Sequence, residues 1–430
     1  MFLLAFLAFS LSVLLASNAS ILSTTDDVDP TTTFRGFSFA AKATPNADKG
    51  SSDNHTLLNE ANMEVNVGGH GILLPSVQPV RDSNFVSDFT LIIDTGSSDL
   101  WVTGGQKLKL NSTTNTTVNL TYGIGSAYGN IAYAPVAFER TTKNTSAQSV
   151  MANLFAQSPS TPHMIGLALE RSEDGEDTAG GYLSIGDYDP HYINVTYTPK
   201  NPVTPTSASR WTIAMEAMTV NRKRYPLSSG VKGTKKGQAI TLIDSGTSLA
   251  YIPNDAVDAI YGQFSGSVHV KTSGQDAWFV PCLGQVNLSF TFAGATYPIN
   301  PMELTSPIRV VDHENQYTVC INAFRPSLAG TQHELDFLLG DIFMRNVYSV
   351  FNFGNETLNH TNANTNANNA DVKGASIQLL SRTNQDQVYT DFQGHRKNVL
   401  KVWPPLFDLS KLHSDGTTDG GGRLEPPSED

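Results

Sequence analysis

Two stretches of the chain repeat one pattern of potentially reactive residues. FTLIIDTGSSDLWV at 89–102 and AITLIDSGTSLAYIP at 239–253 each run from apolar residues into Asp, then Ser or Thr, Gly, and Ser or Thr. An aspartate straight after an apolar run is costly to bury alone and needs hydrogen-bond donors. Thr95 and Ser97 can supply hydroxyls to Asp94, and Ser245 and Thr247 to Asp244, while Gly96 and Gly246 let the chain turn so that backbone N–H groups approach. A single Asp-Ser/Thr-Gly is an ordinary Asx turn. Two copies with the same entry and exit predict facing loops that bring two carboxyls together. Like charges that close cannot both ionise, so one carboxyl keeps a proton. The ionised member would then take a proton from a water as the protonated member polarises a carbonyl. The expected reaction is water addition to a peptide bond at acidic pH. It calls for no metal and no cofactor, in line with the lack of an HExxH or serine-elbow motif.

The elements that would hold these turns read as β-structure. From Met63 to about Phe353, short apolar and β-branched runs alternate with Gly, Pro and Asn turns. Each half also carries a later apolar run with a glycine, MIGLAL at 164–169 and FLLGDIF at 337–343, as expected of two lobes built on one plan. The boundaries read as a signal peptide at 1–19, a flexible leader or propeptide at 20–60, an N-terminal β lobe at 61–200, a C-terminal β lobe at 201–353, and an Asn-rich linker with a mostly flexible tail at 354–430. Within that tail, IQLL at 377–380 and VLKVWPPLF at 399–407 are apolar islands able to dock on the body.

Composition narrows the partners. An apolar content of 39% suffices for sizeable cores, and a net charge of -12 with no run of Lys and Arg beyond three charges argues against a nucleic-acid or anionic-membrane partner. The N-terminal apolar stretch ends in Ser17-Asn18-Ala19, a small-x-small pattern of signal cleavage, and Asn-x-Ser/Thr triplets recur from Asn54 to Asn359. Both features suit a secreted glycoprotein. The only two cysteines, Cys282 and Cys320, read in an oxidising compartment as one disulfide. No later stretch is long and apolar enough to cross a bilayer as a helix, and a monomer is expected.

In this order, DTGSSDLWV, YGIGSAYG at 122–129, IDSGTSL at 243–249 and LLGDIFMRNVYSVF at 338–351 resemble the pepsin-like aspartic proteases of the fungal secreted type, with a shortened N-terminal lobe. The resemblance covers about residues 63–353 and implies an all-β, bilobal fold with the active site in the cleft between lobes. It implies that Asp94 and Asp244 are the catalytic dyad, Thr95 and Ser245 an interlocking pair beneath it, and Ser97 and Thr247 orienters of the outer carboxylate oxygens. Gly96 and Gly246 would bring N–H groups to the carboxylates. YGIGSAYG would be the flap, with Tyr122 bonded to Trp101 and Gly123 giving the tip freedom to bend, although a plain surface hairpin fits the same residues. Phe155, Met164 and Leu338 are implied pocket liners that would suit a plain core equally well. Cys282 and Cys320 resemble the disulfide of the C-terminal lobe. Polypeptide substrates are the implied partners.

The pattern also departs from that family. Leu169 and Tyr182 stand unusually close, Ile124 occupies a flap position that usually carries a polar group, and Asn352 stands where Asp is usual. The leader is also weakly basic for a propeptide that shields two acids. These departures leave a second account open, a catalytically impaired homologue that binds peptides as a secreted glycoprotein. A third would make the echo accidental, and the two Asp-Gly turns would then lie far apart.

Overall fold

The computed structural model describes residues 160–171 and 180–425 with breaks at 207, 209, 273–275, 328–333, 355–373 and 386, together with Asp94–Gly96, Phe155 and the backbone of several strands before Phe155. The signal-peptide and leader readings fall almost wholly outside these residues, as do Ser97, Trp101, Tyr122 and Gly123.

A six-stranded antiparallel sheet gathers distant parts of the chain. Its order is Lys200–Pro202, Ser376–Ser381, Val347–Asn352, Met164–Glu170, Gly180–Ile185 and Phe37–Lys42. Its two central strands, MIGLALE and VYSVFN, are buried on both faces, as continuous apolar runs require. The leader thus contributes one edge strand, and IQLL pairs between Lys200–Pro202 and Val347–Asn352.

The second half of the chain builds a larger sheet in the order Ala295–Pro298, Leu288–Phe292, Thr212–Val220, Ala239–Ile243, Phe337–Leu339, Ala250–Ile252 and Phe324–Pro326. Leu288–Phe292 alternates buried and half-buried residues, so one face meets the core, whereas Ala239–Ile243 is buried throughout. Phe337–Leu339 runs parallel to the strand entering the Asp244 turn and antiparallel to Ala250–Ile252 leaving it. One core unites Ile243, Leu249, Ile252, Phe290, Phe292, Leu339 and Phe343. Val268–Lys271, Asp276–Val280, Asn315–Asn322 and Thr305–Asp312 form a separate four-stranded sheet, in which the Cys282–Cys320 disulfide ties the strand Asn315–Asn322 to the turn just after Asp276–Val280.

Two expectations need correction. MIGLAL and FLLGDIF do not take equivalent places: Met164–Glu170 folds back on Gly180–Ile185 in the six-stranded sheet, while FLLGDIF threads the Asp244 turn. The short connection from Leu169 to Tyr182 allows little but a hairpin. The glycines differ accordingly. Gly166 lies against the Tyr348 hydroxyl, where an added Cβ would be 2.1 Å away, and that hydroxyl sits 3.0 Å from Ser184 Oγ.

The tail is the second correction, since residues 374–425 are built into the body rather than flexible. After the strand Ser376–Ser381, a helix at Val388–Leu400 buries Val388, Phe392 and Arg396. Phe407 and Leu412 then complete a small core with Val270, Phe279, Val310 and Val319 on the four-stranded sheet. Arg396 is 0% exposed and donates to Cys282 O at 3.2 Å, Thr305 Oγ1 at 3.0 Å and Thr305 O at 3.0 Å. A polar composition conceals these anchors, because one fully bonded arginine can replace several apolar contacts.

A buried ion network ties the two sheet systems. Glu303, on the short turn Pro301–Leu304, accepts from Arg345 Nη2 at 2.6 Å and from Arg171 Nε at 2.5 Å. Arg171 directly follows the central strand Met164–Glu170, and Arg345 directly follows the helix Asp341–Met344.

Candidate active site

The two Asp turns meet. Strand Ser87–Ile92 leads to Asp94 and strand Ala239–Ile243 to Asp244, which is buried at 6% exposure. Below the carboxyls the loops grip each other reciprocally: Thr95 N–H donates to Ser245 Oγ at 3.2 Å, and Ser245 N–H donates to Thr95 Oγ1 at 3.0 Å. The Thr95 hydroxyl donates onward to Ile243 O at 2.9 Å. Because all three bonds are buried, breaking one would leave a desolvated polar group, so the register of one loop on the other is firmly fixed.

The carboxylates are held in matching ways. Gly96 N–H donates to Asp94 Oδ1 at 2.7 Å and Gly246 N–H to Asp244 Oδ1 at 2.9 Å. The Thr247 hydroxyl donates to Asp244 Oδ2 at 2.7 Å. Each glycine also faces the opposite acid: a Cβ on Gly96 would lie 2.4 Å from Asp244 Cγ, and one on Gly246 would lie 2.3 Å from Asp94 Cγ. No side chain fits at either position. Both carboxylates therefore abut the same pair of glycines and are neighbours.

Gly340, singled out in the sequence only as the glycine of an apolar run, sets the floor of the Asp244 loop. A Cβ there would collide with Thr247 O, and its absence lets Gly340 N–H reach Leu249 O at 3.1 Å and Asp341 N–H reach Thr247 O at 2.8 Å. Asp244 N–H donates to Leu339 O at 3.1 Å, completing the frame. The Leu-Leu-Gly-Asp spacing was the available signal, but sequence alone does not reveal which loop it threads.

The remaining sequence candidates divide. Strands Ser112–Thr121 and Ser126–Tyr133 pair antiparallel with Thr121 opposite Ser126, and the intervening residues 122–125 lie outside the described set. Phe155 and Met164 are core residues rather than open pocket walls. Phe155 packs 4.8 Å from the His163 ring and 5.4 Å from the Phe353 ring, and Met164 lies with Ala168, Val195, Tyr348 and Val350. Leu338 is half-buried against Val231, Ile240, Leu242 and Leu335. Asn352 accepts from Gly354 N–H at 2.8 Å and so serves a turn. Among the described residues no group of acids, histidines or cysteines is arranged to hold a metal ion, and no helix is long and apolar enough to cross a membrane.

Mostly β-strands in several sheets, with few helices, and two Asp-Gly loops gripping each other define a pepsin-like architecture. The aspartic proteinase from Irpex lacteus shares the fold, with a TM-score of 0.51 and 20% identity over 81% of this chain and 99% of that one. A family model described as eukaryotic aspartyl protease matches residues 135–363, more than half of the chain, and the chain belongs to that family. The match includes Asp244 and begins beyond Asp94. Major aspartyl peptidase 1 of Cryptococcus neoformans is 25% identical over 322 residues, 62% of this chain and 64% of its own length. A probable aspartic-type endopeptidase of Arthroderma otae is 27% identical over 48% of each chain, and pepsin A of Bos taurus is 23% identical over 63% of this chain and 79% of its own. The chain thus spans about half to just under two thirds of the two fungal relatives.

Proposed function

We propose that the chain is an aspartic endopeptidase acting at acidic pH on extended polypeptides, with Asp94 and Asp244 as the catalytic pair. The observation that carries this reading is the reciprocal Thr95–Ser245 grip, with each turn glycine pressed against the opposite carboxylate. One proton is shared by the pair. The ionised carboxylate takes a proton from a bound water, whose oxygen adds to the scissile carbonyl carbon, while the protonated carboxyl donates to the carbonyl oxygen. The tetrahedral intermediate then collapses as the dyad protonates the leaving nitrogen. Thr247 and the two glycine N–H groups keep the carboxylate oxygens oriented throughout. Ser97 would support Asp94 similarly, and Tyr122, Trp101 and Gly123 would belong to a hairpin closing over substrate. The N-terminal apolar stretch supports entry into the secretory pathway.

The reading is tested by digesting denatured globin with the matured chain from about pH 3 to about pH 7. A statyl peptide should be included, since its hydroxyl imitates the tetrahedral intermediate. Cleavage rising toward acid and suppressed by the statyl peptide is the expected result. Intact globin despite tight statyl-peptide binding would favour the catalytically impaired, peptide-binding account.

Gly246→Ala probes the crossing of the loops. The added methyl would stand 2.3 Å from Asp94 Cγ, so the carboxylate must shift. A displacement of this kind costs on the order of 100-fold in rate. Globin digestion by the variant, beside its thermal unfolding, measures the effect; an unchanged rate would rule out the proposed role of that contact.

A further inference from the structure

The surface turn Pro190–Tyr197 presents Asn194 within Asn194-Val195-Thr196. Val195 is fully buried among Met164, Ala168, Tyr348 and Val350, and its carbonyl accepts from Gln378 Nε2 at 3.0 Å. Tyr192 stacks on Tyr348 at 4.8 Å. These anchors hold the turn from beneath and leave Asn194 exposed, with no described residue hydrogen-bonded to its carboxamide. The Thr196 hydroxyl, also exposed, donates to Ile193 O at 2.8 Å.

The apolar surface around this triplet is unusual. Among the described residues four large hydrophobic side chains are exposed, and two of them, Ile193 at 51% and Tyr197 at 87%, flank Asn194. Exposed apolar groups clustered on one turn call for a cover. Asn287, the other triplet with described side chains, differs. Its backbone is paired both ways with Asn221, at 3.0 Å and 2.8 Å, and no exposed large apolar residue adjoins it in sequence.

We propose that Asn194 carries an N-linked glycan whose inner sugars lie over Ile193 and Tyr197. The carboxamide nitrogen of Asn194 displaces the pyrophosphate from the anomeric carbon of a lipid-pyrophosphate-linked oligosaccharide. A C–N bond forms, the C–O bond to pyrophosphate breaks, and the nitrogen gives up one proton. The host transferase supplies this donor, so the proposal rests on passage through the secretory pathway. Replacing the chain's own N-terminal stretch with an unrelated secretion signal separates the two, because the chain then enters the compartment whether or not its own leader directs it.

The experiment expresses the full chain behind that signal in a yeast host. The secreted protein is deglycosylated in heavy-oxygen water, and the peptide containing Asn194 is examined by mass spectrometry. Conversion of Asn194 to a heavy-labelled aspartate is expected. Asn194→Gln and Thr196→Ala should each remove one glycan, and Thr196→Ser should keep it. An unmodified Asn194 in the secreted chain overturns the assignment, whether or not other triplets are occupied. For the covering role, Asn194→Gln should bind a hydrophobic dye about twofold or more above wild type, and adding Ile193→Ser with Tyr197→Ser should reverse the gain. Dye binding unchanged by Asn194→Gln overturns that role.

Discussion

Asp94→Asn is expected to lower the rate of globin cleavage by about 10³-fold to 10⁴-fold, the upper range for loss of general acid–base catalysis, with little change in stability. The replacement keeps the size of the side chain and its ability to accept from Gly96 N–H, now at 2.7 Å from Oδ1. It leaves the Thr95–Ser245 grip intact, since neither bond uses the carboxylate. What disappears is the capacity to exchange a proton with water. Asp244→Asn should behave alike, and the double variant should be scarcely worse than either single one, because two groups acting as a unit are not additive. Side-by-side digestion and thermal unfolding of the three variants decide the matter, and cleavage equal to wild type by Asp94→Asn would remove the basis of the proposed mechanism.

Glu303→Ala should be the most destabilising of the simple truncations. Glu303 is 4% exposed and receives both Arg345 and Arg171, so its removal takes the paired carboxylate away from the buried Arg345 guanidinium. Losing one partner of such a network costs about 3–5 kcal/mol. Burial pushes the Glu303 carboxyl upward, but Arg345 and then Arg171 outweigh it and hold the carboxyl below its ordinary value of 4.5. The folded form therefore favours the ionised carboxyl. Its contribution is fully present above the unfolded value and fades as pH falls through the folded one. Denaturant midpoints of wild type and Glu303→Gln should differ most above pH 4.5 and converge in stronger acid. A gap that stays constant with pH would show that Glu303 acts through shape alone. Because the folded form disfavours protonation of this carboxyl, the network keeps its charge to lower pH than a glutamate of ordinary pKa would.

The parts of the site visible in the sequence are those written in short-range pattern. The apolar run, Asp, glycine and hydroxyls at 89–97 and 239–247 specify two tight turns, and their repetition specifies that they face each other. The disulfide was legible because the cysteines are few. Long-range partnerships were not. Nothing near Glu303 in sequence announces Arg171 or Arg345, and nothing in the polar helix around Arg396 announces a buried position beneath Thr305. Phe155 and Met164 were ambiguous because an apolar side chain suits a pocket wall and a core alike, and packing against Phe353 and Tyr348 decides for the core. MIGLAL misled for a different reason. Its glycine serves a neighbouring tyrosine hydroxyl, which the resemblance to FLLGDIF conceals.

The six-stranded sheet bears on how the chain reaches its native state. Ala168 pairs with Tyr348, and Lys200 with Gln378, so partners emerge from the ribosome far apart in time. The sheet cannot close until synthesis has passed the strand Ser376–Ser381, and topologies dominated by such distant pairings fold slowly. Until closure, the apolar strand Met164–Glu170 lacks its Val347–Asn352 neighbour and stays vulnerable to association with other nascent chains.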